Sequence, residues 1–359
     1  MTNGDCAGHG DNMSAAQSPI PFSTLQNLAS AQGLDAVATI ALPTSMDPRG
    51  LEQTISDGVG DMTWLMSQRD LRREPQRLLP GASHALVAAL AYQREPAQED
   101  LPGGLRGARY AAGKDYHGIF RRRLASIGRE IELAQPGAST RACVDSAPLN
   151  ERSLAELAGI GWLGRNGLII DPRRGSYRFI GVLLTSAALE IRLGGGDSDR
   201  CGRCQACHQA CPTGALVGRR VISTRCISYL TIEHQGVIPR HLAEHFGGWW
   251  YGCDICQEVC PWNRFAPPAG DQRLEGRDHE PHLLQLRADT FDAYFAGRAQ
   301  RRLGWSRFRR NLLVALWSQG RLDEAQSLLD SQADGLLWAQ AQELGIISAS
   351  AGDPPGDGG

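Results

Sequence analysis

The run Cys201-Gly-Arg-Cys204-Gln-Ala-Cys207-His-Gln-Ala-Cys211-Pro212 separates its four cysteines by two, two and three residues. This is the spacing of a bacterial ferredoxin site, in which a tight loop wraps one iron–sulfur cube. A second run, Cys253-x2-Cys256-x3-Cys260-Pro261, follows further along the chain, and Cys226 stands alone between the two runs. Eight of the ten cysteines therefore lie between 201 and 260, enough for two clusters of four ligands each.

In ferredoxins with two clusters, the cysteine before the proline ligates the other cluster. This crossover assigns Cys201, Cys204, Cys207 and Cys260 to a first 4Fe–4S cluster. It assigns Cys211, Cys226, Cys253 and Cys256 to a second. The two remaining cysteines are predicted to be bystanders: Cys6 in a polar N-terminal segment, and Cys143 as a small core residue at the end of a strand.

Three other interpretations fit these motifs less well. Structural zinc also uses Cys-x2-Cys pairs, but zinc sites rarely crowd four cysteines into one run. Cys204-Gln-Ala-Cys207-His208 matches a haem attachment signature, although it lies inside the longer run. Gly159-x-Gly161-x-x-Gly164 matches a dinucleotide fingerprint, but a helix precedes it and a strand follows, so it is predicted to be a helix stop and tight turn.

Composition narrows the class of protein. The chain has 359 residues and a net charge of −2, and Lys114 is the only lysine among its 37 basic residues. A lysine-dependent phosphate-binding loop is therefore excluded. No apolar run is long enough to cross a membrane, and Met1–Pro21 lacks the features of a secretory signal, so we expect a soluble, cytoplasmic protein with no membrane partner.

The order of apolar patterns predicts a mixed fold of α/β (α+β) class. We expect a disordered lead-in over 1–22, an α/β domain over 23–195, a two-cluster ferredoxin-like domain over 196–266, a small helical domain over 267–350 and a disordered tail over 351–359. The first helix is predicted to begin with Ser23 as its capping residue and to stop at Gly33. Further helices are predicted at Tyr116–Leu133, Glu151–Ala158, Trp305–Trp317, Leu322–Leu329 and Gly335–Leu344. Strands are predicted at Leu34–Leu42, His84–Tyr92, Gly167–Ile170 and Tyr177–Thr185.

Four further stretches, in order with the cysteine runs, carry a family resemblance. They are Ala108-Arg-Tyr-Ala-Ala-Gly-Lys-Asp-Tyr-His117, Val144-Asp-Ser-Ala-Pro-Leu-Asn-Glu-Arg152, Ala158-Gly-Ile-Gly-Trp-Leu-Gly-Arg-Asn166 and Cys226-Ile-Ser-Tyr-Leu-Thr-Ile-Glu233. Together the chain from about Ser23 to Arg310 resembles the epoxyqueuosine reductases, cobalamin-dependent iron–sulfur enzymes of queuosine biosynthesis.

The resemblance implies a monomeric enzyme that reduces epoxyqueuosine to queuosine at the wobble position of tRNA, with loss of water. Electrons would pass from an external low-potential donor of ferredoxin or flavodoxin type, through two 4Fe–4S clusters, to cobalamin over the N-terminal domain. The RNA partner would be the anticodon stem-loop. The family's proton donor falls on Asp145, for which we expect a raised pKa beside the cofactor. By residue type alone, an Asx turn or a helix cap is the favoured interpretation of Asp145.

The resemblance also implies cobalamin contacts from Tyr110, His117, Arg165 and Asn166. The alternative for His117 is simple packing at a helix start. The sequence departs from the family pattern at Arg165, where lysine is common, and at Asn150, where an apolar residue is common. Arginine keeps the charge but not the geometry of lysine, which puts a side-chain contact in doubt.

The segment Gly297–Arg310 contains six arginines and no acidic residue, with Trp305 and Phe308 interleaved. Arginine forks suit phosphate oxygens and aromatic faces stack on unpaired bases, so tRNA contacts are predicted at Arg301, Arg302, Arg307 and Arg310. The alternative is a solvated helix face whose aromatic residues belong to the core.

Two other functions fit the same cysteines. A corrinoid-dependent reductive dehalogenase would also use cobalamin and two clusters, but such enzymes are usually exported. A ferredoxin-type electron-transfer module without catalysis would carry the clusters and ignore a corrinoid.

Overall fold

The computed structural model describes residues 18–93, 104–195, 199–276, 283–330 and 334–348. Most of the predicted lead-in, with Cys6, and the whole predicted tail lie outside these ranges. Within the described residues, no helix has the length and apolarity needed to cross a bilayer.

The strands are β1 (Ala36–Ala41), β2 (His84–Ala91), β3 (Arg106–Gly107), β4 (Thr140–Cys143), β5 (Trp162–Leu163), β6 (Ile169–Ile170), β7 (Arg178–Thr185), β8 (Leu216–Val217), β9 (Arg220–Val221) and β10 (Trp249–Tyr251). The helices are α1 (Phe22–Ala31), α2 (Arg49–Ser56), α3 (Trp64–Ser67), α4 (Arg69–Arg73), α5 (Tyr116–Ala134), α6 (Glu151–Leu157), α7 (Ala206–Ala210), α8 (Ile227–Ile232), α9 (Arg240–Ala243), α10 (Ile255–Glu258), α11 (Ala288–Tyr294), α12 (Gly304–Ser318), α13 (Leu322–Asp330) and α14 (Gly335–Leu344).

A four-stranded antiparallel sheet of order β1-β2-β7-β4 forms the centre of the N-terminal part. Strand β2 is apolar after its first residue, and seven of its eight residues are buried. A continuous apolar run fits a strand covered on both faces, because the side chains on each face then need an apolar partner.

Helices cover both faces of this sheet. Helices α1 and α5 bury their apolar sides on one face, while α6 packs on the other. Helix α5 approaches β7 closely at Gly181, where a Cβ atom would lie 2.8 Å from Leu124 and 2.9 Å from Phe120. The missing side chain at Gly181 therefore sets how near the second and third turns of α5 lie to the sheet.

A second core joins the cysteine segment to the C-terminal helices. Its buried side chains come from 105–111, from 227–251 and from 283–344. Strand β3 pairs in parallel with β10, which ties the chain ahead of α5 to the segment between Cys226 and Cys253. Packing therefore crosses the predicted domain boundaries, which remain predictions.

The predicted elements are largely confirmed, with two corrections. Helix α1 begins at Phe22 after Pro21, so Ser23 lies inside the helix and does not cap it. The strand predicted over Gly167–Ile170 shrinks to β6, which pairs with β5 in a separate hairpin outside the main sheet. Gly159 has φ +68° just after α6, confirming it as a helix stop.

Candidate active site and cluster-binding site

Asp145 lies in a strained turn after β4. Its φ is 49°, the one positive value for a non-glycine residue in the described parts of the chain. Aspartate tolerates this left-handed region better than most residues, yet such conformations persist only where the surroundings hold them. The turn presents the Asp145 side chain to solvent, with 59% of it exposed.

The start of α5 places His117 against this turn. Asp115 caps the helix by accepting a hydrogen bond from the backbone N–H of His117. The imidazole Nδ1 lies 2.6 Å from Asp115 Oδ1, and Nε2 lies 2.8 Å from Asp145 Oδ2. A carboxylate accepts but does not donate, so both ring nitrogens act as donors and His117 is an imidazolium.

These contacts decide the charges of the pair. Burial alone would lower the pKa of His117, but the hydrogen bonds to Asp115 and Asp145 raise it to about 9. Partial desolvation by the surrounding protein would by itself raise the pKa of Asp145, but His117 and Tyr116 together hold it below its usual value. The raised pKa expected for Asp145 is therefore wrong, because the proton resides on the neighbouring ring.

A buried acid lies beside this pair. Burial raises the pKa of Glu151 to about 8, and the charge of Asp145 adds to the effect. Glu151 Oε1 and Arg72 Nε are buried without a hydrogen-bond partner among the described residues. The site around Asp145 therefore contains buried polar atoms without a hydrogen-bond partner among the described residues.

Two predicted residues from distant segments join the same site. The ring of Tyr110 lies 6.2 Å from that of Tyr116, edge to face. Arg302 forms an ion pair of 2.8 Å with Glu233 and interacts electrostatically with Asp145. The structure thus brings Tyr110, His117, Asp145 and Arg302 together from three parts of the chain.

The cysteines fall into two groups. The Cys207 thiol interacts electrostatically with Cys201, Cys204 and Cys260. The Cys253 thiol interacts with Cys226 and Cys211, and the Cys256 thiol with Cys253 and Cys226. This grouping coincides with the crossover assignment made from the two Cys-Pro runs.

Arg165 and Asn166 lie at the first cysteine group. Both line a small cavity with Cys201, Cys204, Cys207 and Cys260. Asn166 is 3% exposed, and its Nδ2 has no hydrogen-bond partner within the described parts of the chain, so it can donate to a cluster sulfur. Arg165 donates instead to the backbone oxygen of Gly202 at 2.8 Å.

Backbone and indole groups also point at the cysteine sulfurs. Trp162 Nε1 donates to Cys201 Sγ at 3.4 Å, and the Ala215 N–H donates to Cys211 Sγ at 3.3 Å. No three potential ligands among the described residues converge on a single metal ion.

Some side chains of the segment Gly297–Arg310 lie at the surface and others lie in the core. Arg310 is fully buried and donates to the backbone oxygens of His234, Gly236 and Leu230, so its prediction as an RNA contact is wrong. Phe308 is also fully buried, which excludes it from base stacking.

The other arginines of this segment keep different amounts of free surface. Arg307 is half-buried and donates to three backbone oxygens. Arg301 and Arg302 keep exposed side chains, 55% and 49% respectively. These two are the predicted contacts best placed to meet a ligand from solvent.

The fold and the two cysteine groups define an iron–sulfur protein with two 4Fe–4S clusters. A family model described as a 4Fe–4S double cluster binding domain matches residues 200–263. A second model, described as epoxyqueuosine reductase QueG, matches residues 72–146, which include His117 and Asp145.

Similar proteins extend the match over most of the chain. An epoxyqueuosine reductase of Vibrio cholerae is 39% identical over 304 residues, covering 79% of this chain and 82% of the relative. The chain therefore belongs to the epoxyqueuosine reductase family, and it is an oxidoreductase. Its fold matches the epoxyqueuosine reductase structure from Streptococcus thermophilus with a TM-score of 0.76 at 23% identity, over 94% of this chain and 95% of that one.

A further solved structure includes RNA. It is an epoxyqueuosine reductase with an epoxyqueuosine-modified tRNA-Tyr stem loop, matched with a TM-score of 0.73 at 25% identity over 91% of this chain and 99% of that one.

Two residues of the site were given no role of their own by the sequence. Asp115 lies with Tyr110 and His117 in a stretch that resembles the family near its cofactor, and its position before an apolar helical pattern is the signal of an N-cap. Glu151 was considered only as part of a helix start. Its proximity to Asp145 depends on the path of the chain over 144–149, where the residue types predict a turn or a cap but not its geometry.

The ligand grouping predicts a selective loss of iron in Cys226→Ala. Removing one thiolate from the second group should reduce the iron content to about half while the first cluster remains. Iron analysis and EPR of anaerobically purified protein measure this. Cys143→Ala is the matched control, because Cys143 is buried away from both groups, and it should keep full iron; full iron in Cys226→Ala would overturn the ligand assignment.

Proposed function

We propose that this enzyme reduces the epoxide of epoxyqueuosine to the alkene of queuosine at the wobble position of tRNA, with Asp145 delivering the proton to the departing oxygen. The overall change takes up two electrons and two protons and releases one water. Family membership supports the substrate. The observation that carries the role of Asp145 is its hydrogen bond of 2.8 Å to the His117 imidazolium.

The pair stores one proton next to the reacting group. At neutral pH the proton resides on His117, because its pKa is about 9. As negative charge develops on the epoxide oxygen, Asp145 passes a proton to it and takes one from Nε2 of His117. Asp115 holds the ring through Nδ1 at 2.6 Å, so the imidazole keeps the orientation that this relay needs.

Cobalamin is the cofactor proposed for this site. When bound, it supplies a cobalt centre that accepts single electrons and reacts with electrophilic carbon. Glu151 Oε1 and Arg72 Nε, buried without a hydrogen-bond partner among the described residues, suit a large ligand rich in amides. Tyr110 and His117 lie at the same site as Asp145 and would contact the cobalamin. Arg165 and Asn166 lie at the first cysteine group and would contact the first cluster instead.

The remaining partners are proposed from the same resemblance. The enzyme acts as a monomer in the cytoplasm, takes electrons from an external carrier of ferredoxin or flavodoxin type, and binds the anticodon stem-loop. Arg301 and Arg302 would contact RNA phosphates beside the site. Neither a reductive dehalogenase nor a plain electron carrier accounts for the family match over the segment that contains Asp145.

Asp145→Asn should lower the single-turnover rate about a hundredfold or more, because the amide cannot deliver the proton. The measurement is mass analysis of an epoxyqueuosine stem-loop after anaerobic incubation with chemically reduced, cobalamin-loaded enzyme. Iron content and stem-loop affinity should stay at the wild-type level. Asp289→Asn, an exposed site on α11, is the control, and undiminished turnover in Asp145→Asn would remove Asp145 from the mechanism.

The pH dependence follows from the His117 pKa of about 9. Single-turnover rates should be level through neutral pH and fall as the pH rises through about 9, because the pair then loses its stored proton. The lowered pKa of Asp145 places the other titration below the usual carboxylate range. His117→Gln should be slower and lose the fall near pH 9; a variant that kept the wild-type profile would show that another group supplies the proton.

Arg301→Gln and Arg302→Gln should each weaken stem-loop binding. Each lost phosphate contact reduces the slope of log affinity against log salt by about 0.7 to 0.9. Fluorescence titration at several salt concentrations measures the slope. Arg287→Gln is the control, since Arg287 is exposed at the start of α11, and equal slopes in all three variants would contradict the proposed contacts.

A further inference from the structure

The two cysteine groups differ in their access to solvent. In the first group Cys204 is exposed and the other three cysteines are half-buried. In the second group all four cysteines are half-buried, and Cys226 and Cys253 pack against the core that joins the C-terminal helices. The first group therefore lies nearer to the surface.

The second group lies toward the active site. Gly252, next to Cys253, is so close to the chain ahead of α5 that a Cβ atom would lie 2.5 Å from Ala108 and 3.5 Å from Tyr110. The Cys256 thiol also interacts electrostatically with Cys207 of the first group. The two groups thus form a path from the surface at Cys204 to the side of Tyr110.

The surface around Cys204 is strongly basic. Arg200 and Arg203 directly precede Cys201 and Cys204, and both are exposed. Arg264 is exposed as well, and its Nε donates to the Pro261 oxygen at 2.8 Å. Among the described residues, none of these three arginines forms an ion pair, whereas the nearby Asp199 is already paired with Arg219.

Apolar side chains accompany these charges. Val259 precedes Cys260 and is 38% exposed, and Phe265 is 55% exposed with the guanidinium of Arg264 over its ring at 5.4 Å. A small apolar centre with a charged rim is typical of a transient protein contact.

We infer that the surface formed by Arg200, Arg203, Val259, Arg264 and Phe265, here called the entry surface, docks an acidic one-electron carrier protein. The inference rests on the proposed function, because an enzyme that reduces an epoxide must be supplied with electrons. In each encounter the reduced carrier loses one electron and the first cluster gains it. Two such encounters supply the two electrons of one epoxide reduction.

Charge complementarity decides between a protein and RNA as the occupant. An acidic carrier matches the unpaired guanidiniums, and its cofactor must come close to Cys204 for electron transfer. RNA would satisfy the charges but would cover the surface through which electrons enter. The basic side chains should therefore act mainly on the rate of encounter, which depends on ionic strength.

The test is the triple variant Arg200→Gln/Arg203→Gln/Arg264→Gln. Stopped-flow absorbance follows cluster reduction by a purified bacterial flavodoxin in its hydroquinone form, with no RNA present. At low salt the second-order rate constant should fall about tenfold or more, and the difference from wild type should shrink as salt rises. Reduction by dithionite, a small ion, should not fall.

A matched triple, Arg121→Gln/Arg122→Gln/Arg129→Gln, removes the same charge from exposed positions of α5. It should leave the flavodoxin rate at the wild-type value. Equal losses in both triples, or no loss in either, would overturn the inference. A loss of stem-loop binding in place of the flavodoxin effect would assign the entry surface to RNA.

Two further measurements keep the outcome clear. Iron content shows whether the triple variant retains its clusters. Arg264→Glu, which lies outside the Cys201–Cys211 loop, is a second variant. It should slow cluster reduction by flavodoxin and leave cluster reduction by dithionite unchanged. Conversion of the stem-loop by dithionite-reduced wild-type enzyme tests the proposed function separately. A failure there would leave the flavodoxin comparison intact.

Discussion

The position of His117 between two carboxylates is the interaction on which the active site depends. Its ring nitrogens lie 2.6 Å from Asp115 and 2.8 Å from Asp145, so a single charged ring links the cap of α5 to the strained turn after β4. Without the imidazolium, the turn would present a carboxylate facing another carboxylate. The charged ring lowers the pKa of Asp145 and keeps a proton available at neutral pH.

This arrangement requires helix α5 to hold a fixed position on the sheet. Tyr116 stacks on Phe179 of β7 with ring centroids 3.7 Å apart, and on His117 at 4.1 Å. The absence of a side chain at Gly181 lets the same helix settle on the same strand. Apolar packing of α5 thus positions the polar pair, since the first turn of a helix cannot move independently of the turns that follow it.

The two cysteine groups differ in burial. The first cysteine group is open at Cys204 and bordered by arginines, whereas the second is enclosed by the C-terminal core and adjoins Tyr110. Arg310 contributes to that enclosure by satisfying carbonyl oxygens at 230, 234 and 236. The arginine-rich segment accordingly supports the structure with part of its charge and offers only the remainder to a ligand.

The sequence by itself determined most of the elements, and it predicted the eight ligands and their division into two clusters, because cysteine spacing and apolar periodicity are local properties. It also singled out Asp145 and His117 through the family resemblance. It could not determine the charge of Asp145, the presence of Asp115 and Glu151 around it, or the burial of Arg310. Those depend on side chains that meet from distant parts of the chain, and only tertiary packing decides which groups are removed from water and which neighbour holds the proton.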